Sequence, residues 1–582
     1  MFRMVRLLSK SIREYKKVSL LTPLFVALEV LVEVLIPYLM AELIDKGIYG
    51  ESLSMAFKFG IILFVAAIIS LIFGVIANVL AARASCGVAK NLRKDLYYKV
   101  QDFSFANIDK FSTSSIVTRL TTDVVNVQDA YQMIIKVAVR TPLMLLFSLI
   151  MAFRINAKIS FIFLVLIPII GGLLILISKT AHPIFQKVSG KYDDLNNIVE
   201  ENVSGIRVVK SFVLEEEERK KFNKKSSEIY NLFLKAERLL ALNAPIMQTA
   251  IYLSMLLISW FGARIIITSH MTALTTGELT SLITYSIQIL SSLMMLTMVL
   301  GMCTRAVASF ERIAEILIEE PTLKNPEEPI FEIEDGSIEF ENVSFSYVSD
   351  KKKMALKNIN LSIQSGEMVG IIGSTGDGKS TLVNLIPRLY DVTEGCLKVG
   401  GKDVREYDIK TLRNEVACVL QKNVLFSGTI KENLKWGKEK ATDWEIKNAC
   451  RLACADEFIE RFPQKYDTYI EEGGTNVSGG QKQRLAIARA LLKKPKILIL
   501  DDSMSAVDTK TERKIREAFY KEIPNTTKII IAQRVSAVET ANKIIVIENG
   551  RINGIGTHEE LLKTNKIYQE VYESQMKGEK SQ

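Results

Sequence analysis

The stretch that decides the fold of this chain is Val477-Ser478-Gly479-Gly480-Gln481. It lies between a glycine-rich loop at residues 373–381 and an acidic pair, Asp501-Asp502, which follows the apolar run 497–500. A glycine-rich loop alone occurs in many nucleotide-binding proteins, whereas these three segments in this order and at this spacing define a much narrower class of ATPase. The pattern therefore predicts an α/β domain that binds ATP.

The glycine-rich loop carries the phosphate-binding chemistry. It matches the pattern GxxxxGK[ST] and follows an apolar strand at 368–372. The backbone N–H groups of such a loop surround the phosphates at a helix N-terminus. We expect Lys379 to meet the β- and γ-phosphates, Ser380 to hold Mg²⁺, and Asp501 to orient the shell of that metal. The residues of the loop are Gly373, Ser374, Thr375, Gly376, Asp377, Gly378, Lys379, Ser380 and Thr381.

The first half of the chain has the composition of a membrane domain. The chain has 582 residues, of which 48% are hydrophobic. Apolar segments of about 20 residues, enough to cross a ~30 Å hydrocarbon core, occur only before residue 301. They lie at residues 20–41, 59–80, 134–153, 159–178, 246–267 and 279–300. The sequence predicts a multidomain protein, with a six-helix all-α transmembrane domain at 1–320, a linker at 321–336 and an α/β P-loop ATPase domain at 337–582.

Basic residues predict the orientation of the membrane domain. Arg3, Arg6, Lys10, Arg13 and Lys16 precede the first apolar segment. The positive-inside rule places them in the cytoplasm, and six spans return the ATPase domain to the same side. We attribute the net charge of +9 to membrane orientation and nucleotide binding, and expect no nucleic-acid partner.

Two long charged segments separate the apolar ones. Residues 81–133 and 179–245 are mostly free of Gly and Pro. Helices of about 25 residues in each direction would extend nearly 40 Å from the membrane. We predict that these arms turn at residues 111–117 and 204–210.

Over essentially its whole length, the chain resembles a half-transporter of the ABC exporter family. In that family two ATPase domains close head to tail around two ATPs. The resemblance implies that Tyr347 stacks on adenine, that Gln421 senses Mg²⁺, and that residues 204–210 form a coupling turn. It implies that 505–508 is the segment crossing the dimer. It also implies that the signature of each subunit contacts the γ-phosphate bound by the other, here through Ser478, Gly479, Gly480 and Gln481.

Two residues depart from the family pattern. Asp502 stands where the family usually has the catalytic Glu, and Gln533 where it usually has the switch His. With its signature intact, the chain resembles the degenerate-site subunit of bacterial heterodimeric exporters, many of which handle drugs. The implied partner is a second half-transporter in the cytoplasmic membrane of a bacterium. Alternatives are a homodimeric lipid or peptide exporter, in which Asp and Gln are adequate, and an ATP-gated regulatory membrane module.

Glu29 and Glu33 are the candidate substrate residues. They lie four residues apart in the first apolar segment, hence on one helix face. A charge at this depth costs about 2.5–3.5 kcal/mol on insertion scales. One interpretation is a cavity wall that attracts cationic members of a class of small amphiphilic substrates; the other is a pair bonded to neighbouring helices. Lys136 and Arg140 are expected to pair or to extend to the membrane surface.

Overall fold

The computed structural model describes residues 9–348 and 353–579, except for the side chains of 189, 193, 300, 304, 305 and 576–579. Arg3 and Arg6, which support the predicted orientation, lie outside this part. The chain divides into two compact units, Met1–Gln101 with Ser112–Glu319 and Asp102–Phe111 with Glu320–Gln582. Residues 102–111, which the predicted boundaries assign to the membrane domain, thus belong to the ATPase unit.

The predicted spans are confirmed. Over the described residues of the membrane unit, six helices are long and apolar enough to cross a bilayer, and each contains one predicted segment. They are Lys16–Glu42, Leu53–Gln101, Val124–Ile155, Ala157–Ser204, Asn243–Ser269 and Thr276–Ile318. Shorter helices of this unit are Arg13–Tyr15, Leu43–Ile48, Thr113–Thr118, Arg119–Asp123, Ile206–Ser211 and Glu215–Leu240.

The spans pack through small and β-branched side chains and through side-chain hydrogen bonds. Val26, Val30 and Val34 recur every four residues on the first helix and are buried. The hydroxyl of the fully buried Tyr285 donates to the carbonyl of Val34 at 2.7 Å. Such contacts fix one helix against another where the apolar lipid supplies no hydrophobic driving force.

The arms exist, but the first turn was predicted too late. The helix Leu53–Gln101 has 49 residues, or about 74 Å at 1.5 Å per residue. It ends at Gln101, before a short helix at Phe105–Lys110. The chain turns here because Ser104 and Asn107 form a capping box, in which each side chain accepts a hydrogen bond from the backbone N–H of the other. A capping box starts a new helix. The second turn lies where it was predicted, since the helix Ala157–Ser204 ends at Ser204 and Ile206–Ser211 follows.

The ATPase unit is an α/β domain with two main sheets over its described residues. The strands are β1 Ile338–Phe345, β2 Leu356–Ile363, β3 Met368–Ile372, β4 Glu394–Val399, β5 Lys402–Asp403, β6 Val416–Val419, β7 Gly428–Thr429, β8 Tyr469–Ile470, β9 Ile497–Asp501, β10 Thr527–Ile531, β11 Lys543–Glu548 and β12 Arg551–Gly556. One sheet is antiparallel with strand order β2-β1-β4-β5, and the other is mixed with order β12-β11-β3-β10-β9-β6. The helices are Phe105–Lys110, Lys379–Leu385, Ile409–Glu415, Ile430–Lys435, Asp443–Leu452, Asp456–Ile459, Lys465–Asp467, Glu472–Gly474, Gly479–Leu492, Thr509–Glu522, Val535–Ala537, His558–Thr564 and Lys566–Glu579.

The larger sheet gathers the predicted site residues at one edge. Strands β3, β10, β9 and β6 are adjacent and parallel, and every residue of β3, β9 and β10 is buried. The phosphate loop follows β3, Gln533 follows β10, Asp501 ends β9, and Gln421 follows β6. The carboxyl ends of parallel strands face one crevice, which is where open α/β sheets bind ligands.

Candidate nucleotide site and its partners

The phosphate loop connects β3 to the helix Lys379–Leu385, and its backbone requires glycine. A Cβ at position 373 would lie 2.3 Å from the carbonyl oxygen of Ile547, so no larger residue fits there. Gly378, which precedes the helix, has φ +92°, a conformation that L side chains rarely adopt. The loop therefore presents backbone N–H groups at a helix N-terminus, as phosphate binding needs.

Lys379 lies across this loop. Its Nζ donates to the carbonyls of Gly373 at 2.8 Å and Ser374 at 2.6 Å. The N–H of Ser374 in turn donates to Oδ2 of Asp377 at 2.6 Å, which closes the loop. Burial lowers the pKa of Lys379, and the negative phosphates of a nucleotide would oppose that effect.

Ser380 and Asp501 form a pair suited to Mg²⁺. The Ser380 hydroxyl donates to Oδ1 of Asp501 at 3.0 Å. Asp501 is only 5% exposed, and burial raises the pKa of its carboxyl group. A hydroxyl and a carboxylate beside a phosphate site are the oxygen ligands that Mg²⁺ prefers, and a cation there would stabilise the charged carboxylate. These residues therefore fit the predicted metal.

Asp502 is shared by two amide side chains. Nε2 of Gln533 donates to its Oδ2 at 2.9 Å, and Nε2 of Gln421 approaches the same oxygen at 3.4 Å. The structure thus brings together Asp502 at the position of the catalytic acid, Gln533 at the switch position and Gln421, the predicted Mg²⁺ sensor. One carboxylate oxygen is engaged by both amides, which leaves Oδ1 as the oxygen to meet a water.

Tyr347 is well placed to contact the base. The residue is 52% exposed, and its hydroxyl lies 3.0 Å from that of Thr381 at the start of the phosphate-loop helix. The ring of Tyr390 packs edge-on against it, with centroids 5.2 Å apart. An exposed ring held upright beside the phosphate loop can stack on adenine.

Tyr390 is a site residue that the sequence did not indicate. Its hydroxyl donates to Oδ2 of Asp109 at 2.6 Å, in the short helix Phe105–Lys110 of the same unit. Burial and this hydrogen bond raise the pKa of Tyr390, so it remains a donor. The two residues are 281 positions apart, and no local pattern predicts such a contact.

The signature begins a helix whose start is exposed. Ser478 caps the helix Gly479–Leu492 through a capping box with Gln481. Gly480 packs closely, because a Cβ there would lie 2.7 Å from the carbonyl of Ala506. Gln483, which was not predicted, accepts from the Ala506 N–H at 3.0 Å and so joins the signature helix to 505–508. Ser478 and Gly479 themselves are exposed.

Glu29 and Glu33 are both paired with Arg140. Its Nη1 donates to Glu29 Oε1, and its Nη2 donates to Glu33 Oε2 at 2.5 Å. The Glu29 side chain is 15% exposed, and those of Glu33 and Arg140 are each 30% exposed. Lys136 donates to Asn78 of the second helix. The cluster therefore combines two carboxylates with one guanidinium, and it joins the first helix to Val124–Ile155.

The phosphate loop, the signature helix and the six spans define an ABC-type transporter, and the comparisons with known proteins agree. The family model of the ABC transporter transmembrane region matches residues 20–294, and the family model described as ABC transporter matches residues 356–505. The chain belongs to the ABC transporter family. It is a multi-pass membrane protein with an ABC ATPase domain, in which ATP hydrolysis is coupled to transport.

Two relatives and one solved structure show the extent of the match. An uncharacterised ABC transporter ATP-binding protein of Bacillus subtilis, YfiB, is 36% identical over 578 residues, covering 99% of this chain and 100% of that protein. The ATP-dependent lipid A-core flippase of Desulfotalea psychrophila is 32% identical over 498 residues, covering 85% and 86%. The structure of a bacterial Atm1-family ABC exporter with ATP bound superposes with a TM-score of 0.82, at 24% identity over 97% and 98% of the two chains. That last likeness concerns the fold.

Proposed function

We propose that this chain is one half of a heterodimeric ABC exporter whose own ATP site is degenerate and whose signature completes a catalytic site on its partner. The observation that carries the proposal is the shared oxygen of Asp502, which Gln533 and Gln421 both contact. Aspartate is one methylene shorter than the usual glutamate, and a displacement of about 1 Å can cost 10²-fold in rate. Glutamine donates a hydrogen bond but cannot exchange a proton as imidazole does.

The residues of this chain that are expected to bind ATP, by contrast, support nucleotide binding. Tyr347 is exposed for a base, the loop amides and Lys379 are placed for the phosphates, and Ser380 with Asp501 fits Mg²⁺. Mg²⁺ would neutralise charge on the phosphates when bound. A site that keeps its nucleotide-binding residues but lacks a well-placed general base binds ATP and hydrolyses it slowly.

Exposed surfaces support a partner subunit. Ser478 and Gly479 face outward from the signature. At the second turn, Val208, Phe212 and Val213 are 57%, 71% and 80% exposed. Apolar side chains concentrated at the tip of a charged arm are typical of a docking surface. A second half-transporter supplies both a signature for the ATP site and a cover for this tip.

We assign the chain to the cytoplasmic membrane of a bacterium, with the N-terminus and the ATPase domain in the cytoplasm. The cargo we propose is a small amphiphilic molecule, drug-like or lipid-like. The support is the half-buried cluster of Glu29, Glu33 and Arg140 at membrane depth, together with the similarity to a relative named for flipping a lipid.

The test is ATP hydrolysis by the purified chain and by the variant Asp502→Glu with Gln533→His. Restoring the base and the switch should raise the rate by about 10²-fold, while ATP affinity stays within about twofold. Lys379→Ala, which removes the phosphate contact, is the control that should abolish binding. A wild-type rate as high as that of the double variant would disprove the degenerate-site assignment.

A further inference from the structure

The side chain of Gln575 bridges the two ends of the segment that carries Gln533. Its Nε2 donates to the carbonyl of Gln533 at 2.8 Å, and its Oε1 accepts from the N–H of Val535 at 2.9 Å. Only one orientation of the amide satisfies both partners, because a carbonyl accepts and an N–H donates. Val535 is 1% exposed, so its N–H has little access to water.

The helix that carries Gln575 is anchored independently of this contact. Tyr568 of the same helix, Lys566–Glu579, is fully buried, and its hydroxyl lies 2.7 Å from Nδ1 of His558. The ring of Tyr572 packs on His558 with centroids 5.4 Å apart. Tyr568, Tyr572 and Gln575 are spaced by four and three residues, hence share one helix face. The helix is therefore a fixed support that reaches the segment 533–535.

That segment sets the position of the Gln533 side chain. It follows the buried strand β10, and its far end is held at Ser536, whose carbonyl accepts from Arg516 at 2.6 Å. Between these two attachments, Gln575 contacts the backbone on both sides of residue 534. The Gln533 side chain extends from this restrained backbone to Asp502 at 2.9 Å.

We propose that Gln575 is a positioning residue of the ATP site, which holds segment 533–535 so that residue 533 meets residue 502. A shift of the helix Lys566–Glu579 would then move residue 533 at the ATP site through the side-chain amide of Gln575. The inference rests on the proposed role of Gln533 as the switch residue.

The experiment compares Gln575→Leu with Gln569→Leu in the full-length chain. Gln569 lies on the same helix, and its Nε2 donates to the carbonyl of Leu562 at 2.5 Å. Gln569→Leu therefore removes a side-chain amide from this helix without changing a contact to segment 533–535. Amide hydrogen exchange of 532–538 should speed up about 2- to 10-fold in Gln575→Leu, the factor expected for one net hydrogen bond, and stay unchanged in Gln569→Leu. Equal exchange in both variants would overturn the proposal.

A kinetic comparison separates positioning from general stability. In the Asp502→Glu, Gln533→His background, Gln575→Leu should lower kcat about 10-fold with KM for ATP within twofold, since a misplaced catalytic group affects the chemical step. Gln575→Glu keeps the acceptor for Val535 but loses the donor to residue 533, and should fall between. Equal kcat for Gln575→Leu and Gln569→Leu would overturn the proposal. Should that background itself show no gain in ATPase rate, the proposed function fails, while the exchange experiment still tests Gln575.

Discussion

Neutralising Glu29 and Glu33 together should destabilise the membrane unit, because it leaves Arg140 without its two carboxylates. An arginine at the centre of a span costs about 2.5–3.5 kcal/mol on insertion scales, and breaking a buried pair from one side costs about 3–5 kcal/mol. The Arg140 side chain is 30% exposed, so the cost should lie at the lower end. We expect Glu29→Gln with Glu33→Gln to lower the free energy of unfolding by about 2.5–3 kcal/mol.

The assay is denaturant unfolding in detergent micelles, followed by helical circular dichroism. Adding Arg140→Gln removes the unpaired charge and should restore most of the loss. The control is Glu216→Gln, which breaks an exposed pair with Arg219 and should have no measurable effect. A double variant as stable as the wild type, or a triple variant no better than the double, would refute this account of the cluster.

The triple variant also tests the role of the cluster in cargo choice. With two carboxylates and one guanidinium, the cluster has an excess of one negative charge when all three groups are ionised, and the triple variant has none. Export of a cationic dye should therefore fall relative to a neutral dye of similar size, while basal ATPase persists. An equal fall for both dyes would assign the cluster to structure alone.

Three further outcomes are expected. In the proposed heterodimer, Ser478→Arg should nearly abolish hydrolysis and Asp502→Asn should spare most of it; equal losses measured by phosphate release would indicate two equivalent sites. Iodoacetamide at pH 8 should alkylate the exposed Cys86 long before Cys450. Burial raises the pKa of the Cys450 thiol to about 12, so its reactive thiolate forms only at higher pH. Equal labelling of the two cysteines in peptide mass spectrometry would contradict this. Tyr390→Phe, which deletes the hydroxyl that donates to Asp109 in the short helix Phe105–Lys110, should lower the free energy of unfolding of the full-length chain by about 1 kcal/mol, and an unchanged denaturation midpoint would contradict this.

Features written in local sequence were predictable. The spans follow from segments of about 20 apolar residues, and the phosphate loop from glycines at fixed spacing before Lys379 and Ser380. The first turn was misplaced because its signal is a capping pair, Ser104 with Asn107, inside a segment that is otherwise continuously helical in pattern. A weak local signal of this kind is easily outweighed by periodicity.

Features that depend on distant contacts were not predictable. Gln575 and the carbonyl of Gln533 are 42 residues apart, and Arg140 and Glu29 are 111 apart. The sequence indicated that charges in the spans are costly, and a pair bonded to neighbouring helices was one of the two interpretations of Glu29 and Glu33. The packing of the helices decides which residues pair, and local patterns in a single sequence do not indicate that packing.

The assignment of Asp102–Phe111 to the ATPase unit has a consequence for biosynthesis. The ribosome makes this segment about 210 residues before Glu320, which at 5–20 residues per second is an interval of about 10–40 s. Asn107 is 1% exposed, and its side chain bonds to the carbonyl of Glu320 at 3.0 Å and the N–H of Thr322 at 3.2 Å. The segment Asp102–Phe111 must therefore wait for the rest of its unit until the ribosome has made Ser112–Glu319, which is most of the membrane unit. A truncated protein that starts at Glu320 would lack a buried part of its own domain.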